Sequence, residues 1–482
     1  MFDLRPVGYV TGLLVAVLGV TMLLPMAVDL YFERAHWRIF LQASIVTFMI
    51  GALVALACAN GVRDRMTIQQ TFLVATGVWL ILPIFGAIPF WLGPPNARMV
   101  DAFFEAMSGL TTTGSTVFIG LETLPQGVLL WRSMLQWFGG VGIIVVAMVF
   151  LPELRVGGMQ IFRSEGFDTD GKVLPRAAQI ASRIGGVYLI LTAACYLSYM
   201  VVGLGSFDAL NHALTTVSTG GFSTYDASFA GFSGAPEYVA VLFMLVASLP
   251  FVRYVQLMNG AIGPLKRDRQ VRMFFMICAT LYGVMVLYRV TANGAPFEQA
   301  LRETMFNVTS IITGTGYASA DYQLWGGFPV VLFFFIGLIG GCAGSTSCSI
   351  KVFRYQLLFA SIRAQINKIY SPHGIFVPRY EGRPVTDDVL YSVMAFFVAF
   401  VVSLGVLSVL LGMTGLDMVT SLSGAATALA NVGPGLGPTI GPTGNFAALN
   451  DAAKWLLAFA MLIGRLEIMA VFALLSVNFW RV

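Results

Sequence analysis

A backbone that enters hydrocarbon must pair its own amides, so a chain crosses a bilayer only as helices or as a closed barrel. That rule governs most of this one. Runs of about 20 apolar residues, the length a helix needs to cross, stand near 7–30, 38–60, 69–93, 126–150, 184–204, 236–258, 271–291, 328–350, 388–412 and 453–478. They predict an all-α membrane protein with ten spans. Only 11% of residues are charged, against roughly 25% in an average soluble domain. The first run has no cleavage-site pattern, and Phe2, Asp3, Leu4 and Arg5 make a poor signal-peptide start, so it is expected to stay in the protein.

Several function classes fall away. Cys58, Cys195, Cys278, Cys342 and Cys348 are scattered without a CxxC, and His36, His212 and His373 lie far apart. That argues against a disulfide framework and a zinc site. There is no Walker A sequence, and no GxGxxG following a strand. A membrane enzyme would need a convergent His, Cys or acid cluster within the spans, and none is visible, so neither covalent chemistry nor a covalent cofactor is expected.

Basic residues sort by loop. With the N-terminus inside, Arg5, Arg63, Arg65, Arg155, Arg163, Lys172, Arg176, Arg183, Arg253, Lys266, Arg267, Arg269, Arg272, Lys351, Arg354, Arg363, Lys368, Arg379, Arg383 and Arg481 fall on the inner side. Arg34, Arg38, Arg98, Arg132, Arg289, Arg302 and Lys454 fall outside, and Arg465 sits within a span. This bias predicts both termini in the cytoplasm and accounts for the net charge of +4 without nucleic acid.

Between the spans, on the predicted outer side, one pattern recurs. Asp101 to Ser115 (DAFFEAMSGLTTTGS), Asp208 to Phe222 (DALNHALTTVSTGGF), Glu303 to Tyr317 (ETMFNVTSIITGTGY) and Thr420 to Pro434 (TSLSGAATALANVGP) align without a gap on Gly114, Gly221, Gly316 and Gly433. Each opens on a polar residue suited to a helix N-terminus, an acid in three of them. A helix of about nine residues is expected, followed by a Thr/Ser/Gly/Asn loop. Such a half-helix aims its partly negative end at the loop. Non-helical backbone at membrane depth survives only where it is buried in protein or lines a wet cavity. Four such loops around one axis would make a ring of carbonyls able to replace the water shell of a cation. Tight helix packing through small residues is the plainer reading of any one cluster; four in register favour a pore.

The eighth run carries GLIGGCAGSTSCSIK, residues 337–351, whose glycines would weaken a continuous helix. Packing through small residues is again possible, but a break is the sharper reading. It leaves a movable loop over 341–349, with few side-chain contacts, under the four-loop ring. Arg465 and Glu467 within the last run mark either a helix-linking ion pair or a pathway, and they face different sides of a helix.

FFEAMSGLTTTGST, STGGFST, GTGYASADY and ANVGPGLG, with GGCAGSTSCSIKVFR and GRLEI, resemble the Trk/Ktr/HKT superfamily of potassium transporters, the Trk-type membrane subunit most closely. The resemblance covers nearly the whole chain. It implies four M1-P-M2 units (span, pore helix with filter loop, span) around one pseudo-fourfold pore, behind two extra N-terminal helices. The corresponding boundaries are 1–66, 67–160, 161–268, 269–370 with a broken M2, and 371–482. The implied filter is Thr112, Thr113 and Gly114; Thr219, Gly220 and Gly221; Thr315 and Gly316; and Asn431, Val432 and Gly433. The carbonyls of Thr113, Gly220, Thr315 and Val432 would hold the transported potassium ion. Some plant sodium-selective relatives carry Ser where Gly114 stands, so the resemblance favours potassium. The implied gate is Gly341, Gly344, Ser345, Thr346 and Ser347 with Arg465. Members often read Gly-Gly-Gly before the Ile-Lys pair; here Ser347, Cys348 and Ser349 stand there, a departure that bears on gating. The family also implies a bacterial inner-membrane location, a homodimer, and a cytosolic RCK-type nucleotide-binding regulatory subunit of the TrkA kind. The basic stretches 263–272 and 351–383 are candidate docking surfaces for it, with anionic membrane lipid as the competing partner. A sodium- or proton-coupled secondary carrier is the alternative mechanism.

Overall fold

In the computed structural model the described residues are 3–61, 66–146, 158–159, 173–466 and 468–480. Arg63, Arg65, Arg155, Arg163, Lys172, Glu467 and Arg481, invoked above, lie outside them. The fold is helical, with one difference from the all-α expectation. A two-stranded hairpin, Arg379–Tyr380 against Arg383–Pro384, turns through Glu381 and Gly382 at φ 50° and 83°, the paired positive φ of a tight hairpin turn.

Among the described residues seven helices are long and apolar enough to cross a membrane: Arg5–Tyr31, Trp37–Gly61, Ile68–Leu92, Gln126–Val145, Ser182–Val201, Arg269–Ala292 and Asp387–Met413. Two of the ten expected spans are bent where the sequence reading ran them through, and the break expected in the eighth is present. The run 236–258 is two helices, Ala235–Ala247 and Phe251–Met258, bent by 90°. Pro250 supplies no N–H and disfavours helix at the residue before it. The run 453–478 is bent by 107° between Asp451–Arg465 and Ile468–Leu475. The run 328–350 holds a helix only over Gly327–Ile336; the chain is then non-helical until Val352–Tyr370.

Two of these breaks complete each other. Cys342 N donates to Ser248 O (3.0 Å), and Phe251 N donates to Gly344 O (2.9 Å). Thr346 Oγ1 donates to Ala247 O (3.0 Å). Backbone groups freed by Pro250 and by the glycine-rich stretch thus find each other, as burial in protein requires.

Burial separates inner from outer helices. In the most apolar stretch of Gln126–Val145, 72% of residues are buried; in Asp387–Met413 only 22% are. The latter turns Val398, Val401, Val402 and Val409 outward, the apolar exterior expected of a helix facing lipid. The first two long helices approach closely: a Cβ added at Gly12 would stand 2.7 Å from Ala55 N and 2.8 Å from Gly51 O. This is small-residue packing.

Candidate functional site

Four short helices end in the buried interior: Met99–Leu110, Ser206–Val217, Phe297–Thr313 and Met418–Ala430. They are longer than the expected nine residues. The third starts well before Glu303, which lies inside it and pairs with Arg289; the acid in its first turn is Glu298. Asp101 and Asp208 occupy the first turns of helices one and two, and Asp417 caps the fourth by accepting from Thr420 N (3.1 Å). An acid therefore meets the partly positive end of all four, leaving the partly negative ends directed inward. Burial alone would raise the Asp101 carboxyl; hydrogen bonds from Lys454 and Arg98 outweigh it and hold it below its ordinary value.

All four helices terminate alike. A left-handed residue follows one or two positions past the end: Thr112 (φ 52°), Thr219 (51°), Gly314 (75°) and Asn431 (52°). The next N–H reaches back five residues: Thr113 to Ser108 O (2.9 Å), Gly220 to Thr215 O (2.8 Å), Thr315 to Ser310 O (2.9 Å) and Val432 to Thr427 O (3.1 Å). This is the Schellman closure. One residue later the backbone is left-handed again, at Gly114 (86°), Gly221 (78°), Gly316 (83°) and Gly433 (108°). Alternating the sign of φ along a short stretch turns successive carbonyls to one side.

The loops close into a ring. A Cβ added at Gly114 would collide with Gly220 O, one at Gly221 with Thr315 O, and one at Gly316 with Val432 O; one at Gly433 would stand 2.8 Å from Thr113 O. Each loop's glycine thus lies against the carbonyl of the next, and the fourth returns to the first. The four carbonyls so met are those of Thr113, Gly220, Thr315 and Val432. Backbone oxygens gathered at four helix C-termini suit a monovalent cation stripped of water.

Hydroxyls and amides brace the ring. Thr111 Oγ1 bonds Thr113 Oγ1 (2.7 Å), and Thr313 Oγ1 bonds Thr315 Oγ1 (2.8 Å). Asn431 Nδ2 donates to Thr113 Oγ1 and to Met461 O, both at 2.9 Å. Ser115 Oγ donates to Gly433 O (2.7 Å). Behind the loops, Arg132 Nε meets Glu105 at 2.8 Å with both side chains buried. Glu105 also accepts from Val117 N (2.9 Å), and Arg132 donates to Ser223 O (2.8 Å) over the ring of Phe222. This pair anchors the chain leaving loops one and two.

One side of the ring opens on a cavity of about 250 Å³ lined by all four glycines with Arg132 and Asp226. The other side is occupied by residues 341–349. Ser347 Oγ donates to Thr313 O (2.6 Å), and Ser349 Oγ donates to Ala430 O (3.1 Å), both last carbonyls of short helices. Cys348 Sγ lies 3.7 Å from Thr112 Oγ1. Arg465, buried, donates to Thr346 O (3.4 Å), Gly139 O (3.2 Å) and Cys348 Sγ.

The structure thus brings together every residue singled out for the ring, and sets Gly341, Gly344, Ser345, Thr346, Ser347 and Arg465 in or against the stretch beside it. Two readings need correction. The 341–349 stretch does not make few side-chain contacts; its hydroxyls are hydrogen-bonded, Ser345 Oγ to Cys342 O (2.6 Å) included. Lys351 and Arg354, counted toward a basic docking surface, are buried. Arg132, Arg289 and Lys454 are buried too, with Glu105, Glu303 and Asp101 as ion-pair partners, which leaves the side each was sorted to unaffected. Sequence reasoning missed Gly314, which the gapless register would have placed beside Thr112, Thr219 and Asn431. It also missed Gln136 and Ser115, for which no local signal exists.

A family model described as TrkH, cation transport protein, matches residues 36–480. The potassium uptake protein TrkI of the Trk system of Halomonas elongata is 40% identical over 99% of this chain and 97% of its own length. The potassium uptake protein TrkH of Escherichia coli is 35% identical over 99% of both chains. Among solved structures, the crystal structure of the potassium transporter TrkH from Vibrio parahaemolyticus superposes with a TM-score of 0.92 at 33% identity, covering 100% of each chain. Each of these relatives is named as a transporter, not as an enzyme.

Proposed function

The chain belongs to the TrkH family of cation transport proteins, and from that premise we propose that this multi-pass membrane protein takes up potassium through a channel-like pore whose selectivity filter is the four-loop ring. One observation carries the reading: the cyclic contact in which each filter glycine lies against the neighbouring loop's carbonyl. Any side chain at those glycines would occupy the space of an ion ligand. Thr112, Thr113, Gly114, Thr219, Gly220, Gly221, Thr315, Gly316, Asn431, Val432 and Gly433 form the filter, and potassium is the transported ligand.

In this reading each short helix is the pore helix of an M1-P-M2 unit, and the units divide at 67–160, 161–268, 269–370 and 371–482, behind two accessory helices. The 341–349 stretch is the gate. It seals the inner side of the filter through Ser347, Ser349 and Arg465, and opening exchanges those bonds for others. The protein resides in a bacterial inner membrane with both termini cytoplasmic, works as a homodimer, and answers to an RCK-type nucleotide-binding subunit. The exposed Lys266, Arg267, Arg269, Arg363, Lys368, Arg379 and Arg383 offer that subunit a basic face. Purified protein in planar bilayers, under bi-ionic potassium, rubidium and sodium gradients, tests the reading. Single-channel currents with a potassium-positive preference support it; saturable flux in fixed stoichiometry with sodium or protons would establish a coupled carrier instead.

A further inference from the structure

We propose that Gln136 is the positioning residue of the second filter loop: acting from a neighbouring helix, it holds the Gly220 carbonyl in the ring and so sets the preference among alkali cations. The inference rests on the filter reading above.

Gln136 is fully buried on the Gln126–Val145 helix. Its amide spans Gly221: Nε2 donates to Gly220 O (2.5 Å), and Oε1 accepts from Phe222 N (3.0 Å). Only this orientation of the amide satisfies both partners, since a carbonyl cannot donate and an N–H cannot accept. Loops one and three brace themselves, through the hydroxyl pairs Thr111–Thr113 and Thr313–Thr315. Loop four is tied by Asn431. Loop two has Gly220 at the position of Thr113 and Thr315, and so has no side chain there to brace with. The reason lies in the same contact: a Cβ at Gly220 would collide with the Gln136 amide and stand 2.9 Å from its Cβ. The glycine and the glutamine are one device, an external brace replacing an internal one.

The brace also acts on charge. A carbonyl oxygen has two lone pairs; Gln136 occupies one at Gly220 and fixes the direction of the other. Without it, Gly220 O would be free to swing toward a smaller cation, and the ring would lose its grip on ion size.

The test uses the full chain in bilayers and reads the potassium-to-sodium permeability ratio. Gln136→Met keeps the volume and removes the brace; the ratio should fall about fivefold to tenfold, the scale of one buried hydrogen bond. Gly220→Thr alone should also lower it, by collision. Gln136→Gly combined with Gly220→Thr removes the glutamine's Cβ together with its amide, places a hydroxyl beside Ser218, as Thr113 stands beside Thr111, and should recover selectivity that Gln136→Gly alone lacks. A merely structural role would not produce that recovery. An unchanged ratio in Gln136→Met, or a double variant no more selective than Gln136→Gly, overturns the proposal. If the single variants are not monodisperse, the double variant decides by the same measurement: folded and selective supports the brace, folded and unselective or unfolded overturns it. Gly221→Ala separates the two levels. If it too leaves selectivity intact, the filter reading has failed; if it alone changes selectivity, only the brace has.

Discussion

Gly114→Ser makes the ring itself the subject of an experiment. Gly114 sits at φ 86°, a region that costs a residue with a side chain about 1–3 kcal/mol. The added Cβ would meet Gly220 O first and stand 3.5 Å from Thr315 O. Gly220 O cannot retreat freely, because Gln136 Nε2 holds it at 2.5 Å from behind. The strain is therefore expected to be released by displacing loop one or by tilting the Gly220 carbonyl, and either changes the distance of a ligand from the ion. If 1–2 kcal/mol of it is released at the expense of potassium coordination, selectivity over sodium falls about tenfold, since 1.4 kcal/mol is one decade. The assay is the reversal potential of reconstituted protein with potassium on one side and sodium on the other, where a tenfold change in permeability ratio moves the potential by about 59 mV. A folded, conducting Gly114→Ser protein with the reversal potential of the unmodified one would refute the assignment of this glycine to the filter.

The gate reading predicts that deleting residues 343–348 raises rubidium uptake into vesicles without any cytosolic partner, and that Arg465→Ala acts in the same direction by removing contacts to Thr346 and Cys348; uptake at or below the unmodified level in inserted protein returns the stretch to static packing. Reversing the charges of Lys266, Arg267 and Arg269 should abolish co-purification of the regulatory subunit, and a complex that survives the triple reversal places its docking surface elsewhere. Glu105→Ala leaves Arg132 buried without its carboxylate, a change worth about 3–5 kcal/mol; the variant should lose its monodisperse peak on mild heating in detergent, and unaltered heat resistance would show the pair to be dispensable.

The register of the four loops was legible in the sequence because its causes are local. A helix C-terminus followed by Thr, Gly or Asn and then by glycine specifies left-handed backbone at both places, and the gapless alignment follows from repeating that requirement four times. The apolar runs were legible for the same reason, since span length and hydropathy are read along the chain. The glycines of 337–344 likewise announced a helix break. The run 236–258 misled as a straight span because Pro250 marks a place where a helix can bend without saying whether it does; the bend was decided by the carbonyls of Gly344, Ala247 and Ser248 finding partners across the two breaks. Basic residues misled in the same way: Lys351 and Arg354 carry a charge in the sequence, but their burial depends on which helix packs over them. Nothing near Gln136 announces its partner, because Gly220 lies 84 residues away. What the sequence alone determined was the left-handed backbone of the four loops and the apolar character of the long helices, which short-range sterics and transfer free energy set residue by residue. Only the tertiary structure decided which loop faces which, because a hydrogen-bond partner across a helix interface is chosen by packing, and packing is a property of the whole chain.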